Sequence, residues 1–132
     1  SVLDAEAYLV PAMKYVELEP VHTGEAARPQ EWRWSSVSHH LGQSRDPLIT
    51  DHPVFWQLGN TPFEREAAYR AQLEEGLTSG QAQALREAAH KGWALGSTAF
   101  LDDMRARTQR PVTARKRGRP RKQGEDILTP FL

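Results

Sequence analysis

The spacing of apolar residues along this chain predicts a mainly α-helical fold. An apolar stripe at helical intervals predicts a first helix over about residues 4–19, which Pro11 should kink or divide. The stripe consists of Leu9, Ala12, Met13 and Val16. No run of alternating apolar and polar residues is long enough to indicate a strand, and no internal repeat is detectable. We therefore expect a small helical domain.

Capping residues predict three further helices. The second should begin at Thr61-Pro62-Phe63-Glu64, which combines an N-cap hydroxyl, a proline at the first helical position and a capping-box glutamate, and it should end at Gly76. The third should begin at Thr78, with a glutamine three residues later in the same role. Ser97 should cap the fourth helix, which ends before Pro111.

A connector rich in proline and tryptophan, over about residues 20–60, joins the first two helices. It holds too many large apolar side chains for a free linker, so we expect it to be ordered, with a short helical turn near residues 35–41. The chain then divides into three regions. Residues 1–60 form the first helix and the connector, residues 61–110 form a helical hairpin region, and residues 111–132 form a disordered basic tail.

The formal net charge of zero conceals a strong separation of charge. Residues 1–104 carry 8 Lys and Arg against 15 Asp and Glu, whereas residues 105–122 carry 9 basic residues and no acid. A basic run of this kind neutralises phosphates and releases condensed counterions, which predicts nucleic-acid binding. The chain has no cysteine, no apolar run of the ~20 residues that span a bilayer and no secretory signal pattern. We expect a cytoplasmic protein with no membrane partner.

The core of the basic tail, Arg117-Gly118-Arg119-Pro120, resembles an AT-hook. Glycine allows the backbone to lie flat in a narrow groove, proline keeps it extended, and the minor groove of A·T-rich DNA attracts arginine. The predicted DNA-binding residues are Arg115, Lys116, Arg117, Gly118, Arg119, Pro120, Arg121 and Lys122. A polycationic tail without groove preference is the alternative.

The third and fourth helices, joined by Gly92-Trp93-Ala94-Leu95-Gly96, are compatible with a helix-turn-helix that brings the last helix near DNA. The acidic pair Asp102-Asp103 argues against placing that helix in a groove. The other interpretation is a helical hairpin that closes a small core, and both stay open. Its core residues would be Leu85, Trp93, Leu95 and Phe100.

The segment Lys14-Tyr15-Val16-Glu17-Leu18-Glu19-Pro20-Val21-His22-Thr23-Gly24 resembles the Arg-Tyr-Ile-Glu-Leu-Asn-Pro-Val-Arg-Ala-Gly stretch of transposases associated with repetitive extragenic palindromes, a branch of the single-tyrosine transposase family. Further short motifs similar to those of the family follow in the same order. They are Trp34-Ser35-Ser36, His40-Leu41-Gly42, Asp46-Pro47-Leu48, Gly92-Trp93-Ala94-Leu95-Gly96-Ser97 and the closing basic run. The resemblance covers most of residues 8–122.

The resemblance implies that Tyr15 attacks a phosphodiester of single-stranded DNA beside a hairpin and forms a 5′-phosphotyrosine. It further implies that Glu19, one turn later, approaches a Mg²⁺ or Mn²⁺ cofactor, where the family commonly has asparagine. It also implies DNA as the partner and the bacterial cytosol or nucleoid as the location. From composition alone, Tyr15 would be an ordinary packing residue.

The chain departs from the family in lacking the His-hydrophobic-His pair that holds the metal on a strand of an N-terminal α/β half. His39-His40 does not replace it, because adjacent residues on a strand point to opposite faces. We therefore expect a C-terminal fragment or degenerate copy, without the α/β half, that is not catalytic alone. The alternatives are a non-catalytic DNA-binding or regulatory module and a protein-interaction surface formed by residues 1–104. No feature selects an oligomeric state.

Overall fold

The computed structural model describes residues 1–118, and every regular element within them is helical. The small, mainly α-helical domain predicted from the sequence is confirmed. The elements are α1 (Ala5–His22), α2 (Val37–His40), α3 (Pro53–Trp56), α4 (Pro62–Glu75), α5 (Ser79–Lys91) and α6 (Thr98–Thr108), with a 3₁₀ turn at Pro29–Glu31 between α1 and α2.

The predicted starts of the last three helices are confirmed by their cap hydrogen bonds. Thr61 Oγ1 accepts from the Glu64 amide at 3.2 Å, and the Glu64 carboxylate accepts from the Thr61 amide at 3.2 Å, which forms the capping box of α4. The same reciprocal bonds join Thr78 and Gln81 at the start of α5. Ser97 Oγ accepts from the amide of the third residue of α6 at 3.2 Å. Because capping satisfies backbone donors locally, short sequence motifs were sufficient to locate these starts.

Helix α1 differs from its prediction in two ways. It is continuous through Pro11 and Pro20, so neither proline divides it. Its buried face is also different, since Val16 is 66% exposed while Lys14 and Glu17 are buried. The predicted stripe contained only apolar residues, but both of these charged side chains find polar partners in the interior. Lys14 Nζ, for example, donates to Gln72 Oε1 at 3.2 Å.

The connector between α1 and α4 is ordered, as expected, and the predicted helical turn near residues 35–41 is α2. The sequence did not predict α3 or the 3₁₀ turn. Helix α3 begins at Pro53, whose fixed φ suits the first helical position, and His52 Nδ1 accepts from the Val54 amide at 3.0 Å as its cap. A histidine at the N-cap is an uncommon signal, which explains why this turn was missed.

The hydrophobic core forms where α1 meets the connector and α4. Its buried members are Leu18, Val37, Leu41, Phe55, Tyr69 and Leu73, and Val10, Met13 and Leu58 pack against them. Helix α1 contacts the 3₁₀ turn, α3, α4 and α5. Side chains from residues 1–60 and 61–110 therefore share one core, with α1 at its centre. Helix α5 packs on α1, and α6 has no comparable packing against another helix within the described chain.

A short set of backbone hydrogen bonds holds α6 and the start of the tail, and we call it the terminal seam. It consists of residues 2–4, 94–95 and 112. Leu95 N donates to Val2 O at 2.9 Å, Asp4 N donates to Leu95 O at 2.7 Å, and Ala94 N donates to Val112 O at 2.9 Å. Val112 is only 6% exposed.

The terminal seam corrects the expected start of the tail. Pro111 was predicted to open it, but the backbone bond to Ala94 and the burial of Val112 keep the chain on the domain at this point. The fully exposed run begins at Ala114. The sequence concealed this attachment because a single valine between a proline and a threonine carries no periodic signal.

Replacement of Gly96 should test the packing beside the terminal seam. A Cβ at Gly96 would overlap the Phe100 ring and lie 2.6 Å from Asp4 Cβ. Gly96→Ala should therefore destabilise the domain by about 1–3 kcal/mol in urea unfolding. Gly80→Ala is the matched control, because nothing lies within 4 Å of a Cβ there, and alanine in α5 should stabilise by up to about 1 kcal/mol. Equal effects of the two substitutions would contradict the packing described.

Candidate functional site

Tyr15 and Glu19 line the same open groove. They lie one turn apart on α1, so both side chains leave the helix on one face. The groove has a volume of about 620 Å³, and connector residues between positions 25 and 36 form its far side. Its lining residues are Tyr15, Val16, Glu19, Pro20, Glu25, Trp32, Trp34, Ser35 and Ser36. The structure thus brings together the two residues of α1 to which the family resemblance assigned roles.

The far wall of the groove is aromatic. Trp34 is 76% exposed, and the Arg33 guanidinium carbon lies 4.8 Å from the centre of its ring. Trp32 lines the same groove and is partly buried. An exposed indole with a stacked guanidinium offers a flat surface of the kind on which unpaired bases stack. The sequence placed both tryptophans in an ordered connector but assigned them no functional position.

Carboxylates supply the charge of this groove. Glu19 is exposed, and Glu25 accepts a hydrogen bond from the Thr23 hydroxyl at 3.0 Å. Among residues 1–118, no three His, Cys, Asp or Glu side chains converge in a way that could hold a metal ion. Glu19 therefore does not belong to a set of three such ligands within this part of the chain. Binding of Mg²⁺ or Mn²⁺ by Glu19 stays a prediction.

The opposite side of α1 carries a buried carboxylate. Glu17 is 1% exposed, and its two oxygens accept from three side chains. Ser36 Oγ donates to Oε1 at 2.6 Å, His40 Nδ1 approaches the same oxygen at 2.6 Å, and the Tyr69 hydroxyl donates to Oε2. We call these four residues the Glu17 cluster. Burial of a carboxylate is tolerated only with such complete pairing, so α1, α2 and α4 are fixed to one another here.

The two adjacent histidines of α2 both form hydrogen bonds with carboxylates. His39 Nδ1 accepts from the Asp46 amide at 3.0 Å, which leaves Nε2 to donate to Asp51 at 3.2 Å. The His40 ring lies among Phe55 and Tyr69, with ring centres 5.1 and 5.6 Å away. His39 and His40 therefore act in this structure as packing and hydrogen-bonding groups of the domain.

The pKa of Tyr69 reflects its position in the Glu17 cluster. Burial raises the pKa of the Tyr69 hydroxyl, and the Glu17 charge and the hydrogen bond to it raise that pKa further. Each of these effects favours the neutral phenol over the phenolate. Tyr69 consequently remains a hydrogen-bond donor to Glu17 throughout the pH range in which free tyrosine is protonated.

The Glu17 cluster determines which way Tyr15 faces. Two residues along an α-helix correspond to a rotation of about 200°, so Glu17 and Tyr15 project from nearly opposite sides of α1. With Glu17 held in the interior, Tyr15 faces the groove. The sequence signal was available, because Val10, Met13 and Glu17 continue one helical stripe and a charge within an apolar stripe indicates a buried, paired group.

The predicted DNA-binding residues fall partly within the structure. Arg115, Lys116, Arg117 and Gly118 are exposed, and Arg119, Pro120, Arg121 and Lys122 lie outside the described residues. On α6, the acidic pair is neutralised by neighbouring arginines. Asp102 accepts from Arg105 at 2.9 Å, and Asp103 pairs with Arg107 at 3.0 Å.

Comparison with known proteins does not assign the chain to a family. No family model, no curated protein and no solved structure gives a significant match. The resemblance to palindrome-associated transposases therefore remains a hypothesis that rests on the quoted motifs. The helices within residues 1–118 include none with the length and apolar character needed to cross a bilayer.

The raised pKa of Tyr69 predicts loss of stability in alkali. Above about pH 10 the unfolded chain releases this proton while the folded chain retains it, so the free energy of unfolding should fall as the pH rises. Urea unfolding at several pH values measures the effect. Tyr69→Phe should lower stability near pH 7 by about 1.5–3 kcal/mol and should flatten the alkaline decline. An alkaline decline of the same steepness in both proteins would contradict the assignment.

Proposed function

We propose that this chain is the C-terminal part of a palindrome-associated, single-tyrosine transposase, or a degenerate copy of one, and that it binds DNA. The observation that supports the proposal most is the shared groove of Tyr15 and Glu19 beside the exposed Trp34. A nucleophile must reach its substrate, and Tyr15 lies in an open groove with an aromatic wall suited to single-stranded DNA.

Tyr15 is the proposed nucleophile. Its phenolic oxygen would attack a DNA phosphorus, the bond from phosphorus to the 3′-oxygen would break, and the products would be a 5′-phosphotyrosine and a 3′-hydroxyl that takes up a proton. A bound Mg²⁺ or Mn²⁺ would supply charge neutralisation at the phosphate. The described residues offer Glu19 without a three-ligand set, so we assign this chain DNA binding and a latent nucleophile, not independent catalysis.

The Glu17 cluster would support this role by holding α1 in one rotation about its axis. Ser36 belongs to the cluster and also lines the groove, so the same residue connects the buried carboxylate to the surface near Tyr15. Preorganisation of this kind reduces the cost of orienting a nucleophile towards a phosphate.

The proposed partner is DNA, as an A·T-rich duplex for the basic tail and as hairpin or single-stranded DNA for the groove. This partner implies the bacterial cytosol or nucleoid as the location. A second candidate is a non-catalytic DNA-binding module. It is favoured by the exposed Arg115, Lys116 and Arg117, which follow the terminal seam and could contact phosphates without any participation of Tyr15.

Tyr15→Phe should abolish a covalent protein–DNA adduct while leaving the fold and DNA affinity nearly unchanged. The chain should be tested within its natural reading frame, with a labelled hairpin oligonucleotide and Mn²⁺, and the adduct detected by denaturing electrophoresis. Tyr8→Phe is the matched control, because Tyr8 lies on the same helix and does not line the groove. An adduct that persists in Tyr15→Phe excludes Tyr15 as the nucleophile, and the absence of any adduct in the unaltered protein favours the non-catalytic module.

Arg119→Ala should weaken binding to A·T-rich duplex more than binding to G·C-rich duplex, because the narrow A·T minor groove is the site that favours inserted arginine. Fluorescence anisotropy with two duplexes of equal length measures the difference. Lys122→Ala removes the same charge outside Arg117-Gly118-Arg119-Pro120 and should weaken both duplexes alike. If both variants lost affinity for the two duplexes to the same extent, the tail would act as a polycation without groove preference.

A further inference from the structure

Three arginines surround a small groove between the end of α6 and the start of the tail. They are Arg105 on the last turns of α6, Arg110 just after it and Arg115 beyond the terminal seam. The groove has a volume of about 350 Å³, and none of its lining residues is acidic. Its remaining lining residues are Gln109, Pro111, Val112 and Thr113.

A strained turn brings these arginines together. Gln109 ends α6 with φ at 53°, and it is the only residue other than glycine with positive φ in the described chain. Such a conformation costs an ordinary residue about 1 kcal/mol or more, so the surrounding contacts must hold it. The turn directs the chain back so that Thr113 Oγ1 lies 3.5 Å from an Arg105 nitrogen.

The terminal seam then fixes the groove. Val112 is buried and its carbonyl accepts from Ala94, so the residues on either side of it have defined positions. Arg110 precedes this fixed point by two residues and Arg115 follows it by three. The groove is therefore part of the folded domain, although it lies at the start of the basic tail.

The charges of the groove are incompletely balanced. Arg105 pairs with exposed Asp102, which is a weak interaction in water. Arg110 and Arg115 have no ion pair with an acid among residues 1–118. The three arginines line one groove, where their like charges repel, and a bound anion would relieve that repulsion. Guanidinium also matches the geometry of a phosphate, to which it donates two parallel hydrogen bonds.

We propose that this arginine groove binds one backbone phosphate of DNA and so fixes where the duplex meets the basic tail. The inference rests on the proposed DNA-binding function and adds a site on the folded domain to it. Two observations favour DNA over a lipid surface. The basic run continues along the chain, so that it can follow the successive phosphates of a DNA backbone. The groove also has no exposed large apolar side chain that would enter a bilayer.

Salt-dependent DNA binding tests the site. For each variant, the dissociation constant of a short duplex is measured over a range of KCl concentrations. Arg110→Ala should weaken binding and lower the slope of log affinity against log salt by up to about 0.9, the value for one phosphate contact. Arg107→Ala is the matched control, since it removes an arginine from the same region that pairs with Asp103 and does not line the groove. It should change the slope less.

A charge-neutral insertion separates a fixed site from a polycationic tail. Gly-Ser inserted between Thr113 and Ala114 leaves the net charge unchanged but moves Arg115 away from the groove. The insertion should lower the affinity and the salt slope about as much as Arg110→Ala. Circular dichroism and urea unfolding confirm that the folded domain is retained, because the insertion follows the terminal seam.

The possible results are distinct. The arginine groove would be excluded as a phosphate site if the insertion variant bound DNA like the wild type and if Arg110→Ala and Arg107→Ala lost the same affinity. DNA binding by the tail would still stand in that case. No DNA binding by the unaltered protein would overturn both this inference and the proposed function. Binding to phosphatidylserine vesicles with the same dependence on Arg110, in place of DNA, would overturn the inference and identify a lipid headgroup as the source of the phosphate.

Discussion

The Glu17 carboxylate is removed almost completely from water, and its three side-chain donors come from α2, its N-cap residue and α4. An unpaired carboxylate in this position would cost several kcal/mol, so the four groups are stable only as a set. The core around Leu18 and Phe55 supplies nonspecific attraction between the helices. The Glu17 cluster fixes the orientation of α1 relative to α2 and α4, because hydrogen bonds to the carboxylate tolerate little rotation or sliding of the helix.

The proposed active groove follows from the same constraint. Tyr15 is presented outward because Glu17 is held inward, and the connector that forms the far wall is attached to the cluster through Ser36. The side of α1 that carries Tyr15 can therefore stay exposed to the groove, because the Glu17 cluster holds the opposite side of the helix in place. The proposed nucleophile thus lies on a rigid element, while Trp34 in the aromatic wall stays exposed to solvent.

The parts of the fold that the sequence predicted are those determined by neighbours in the chain. The capping boxes at Thr61 and Thr78 close within one helical turn, so their motifs were sufficient. The apolar stripe of α1 could have indicated that Glu17 is buried, but it could not identify Tyr69, which lies 52 residues away, as a partner. Tyr15 and Glu19 were paired by helical spacing, whereas their aromatic wall depends on how the connector folds back. The terminal seam likewise depends on pairing between distant segments.

The terminal seam also joins the residues just before α1 to the root of the basic tail through residues 94–95. The amides of Asp4, Leu95 and Ala94 donate to the carbonyls of Leu95, Val2 and Val112, so we expect slow hydrogen exchange at all three amides. These backbone hydrogen bonds run from Val112 to residues 94–95 and from there to Val2 and Asp4. The terminal seam thus connects the root of the basic tail to the N-terminal end of the helix that carries the proposed nucleophile.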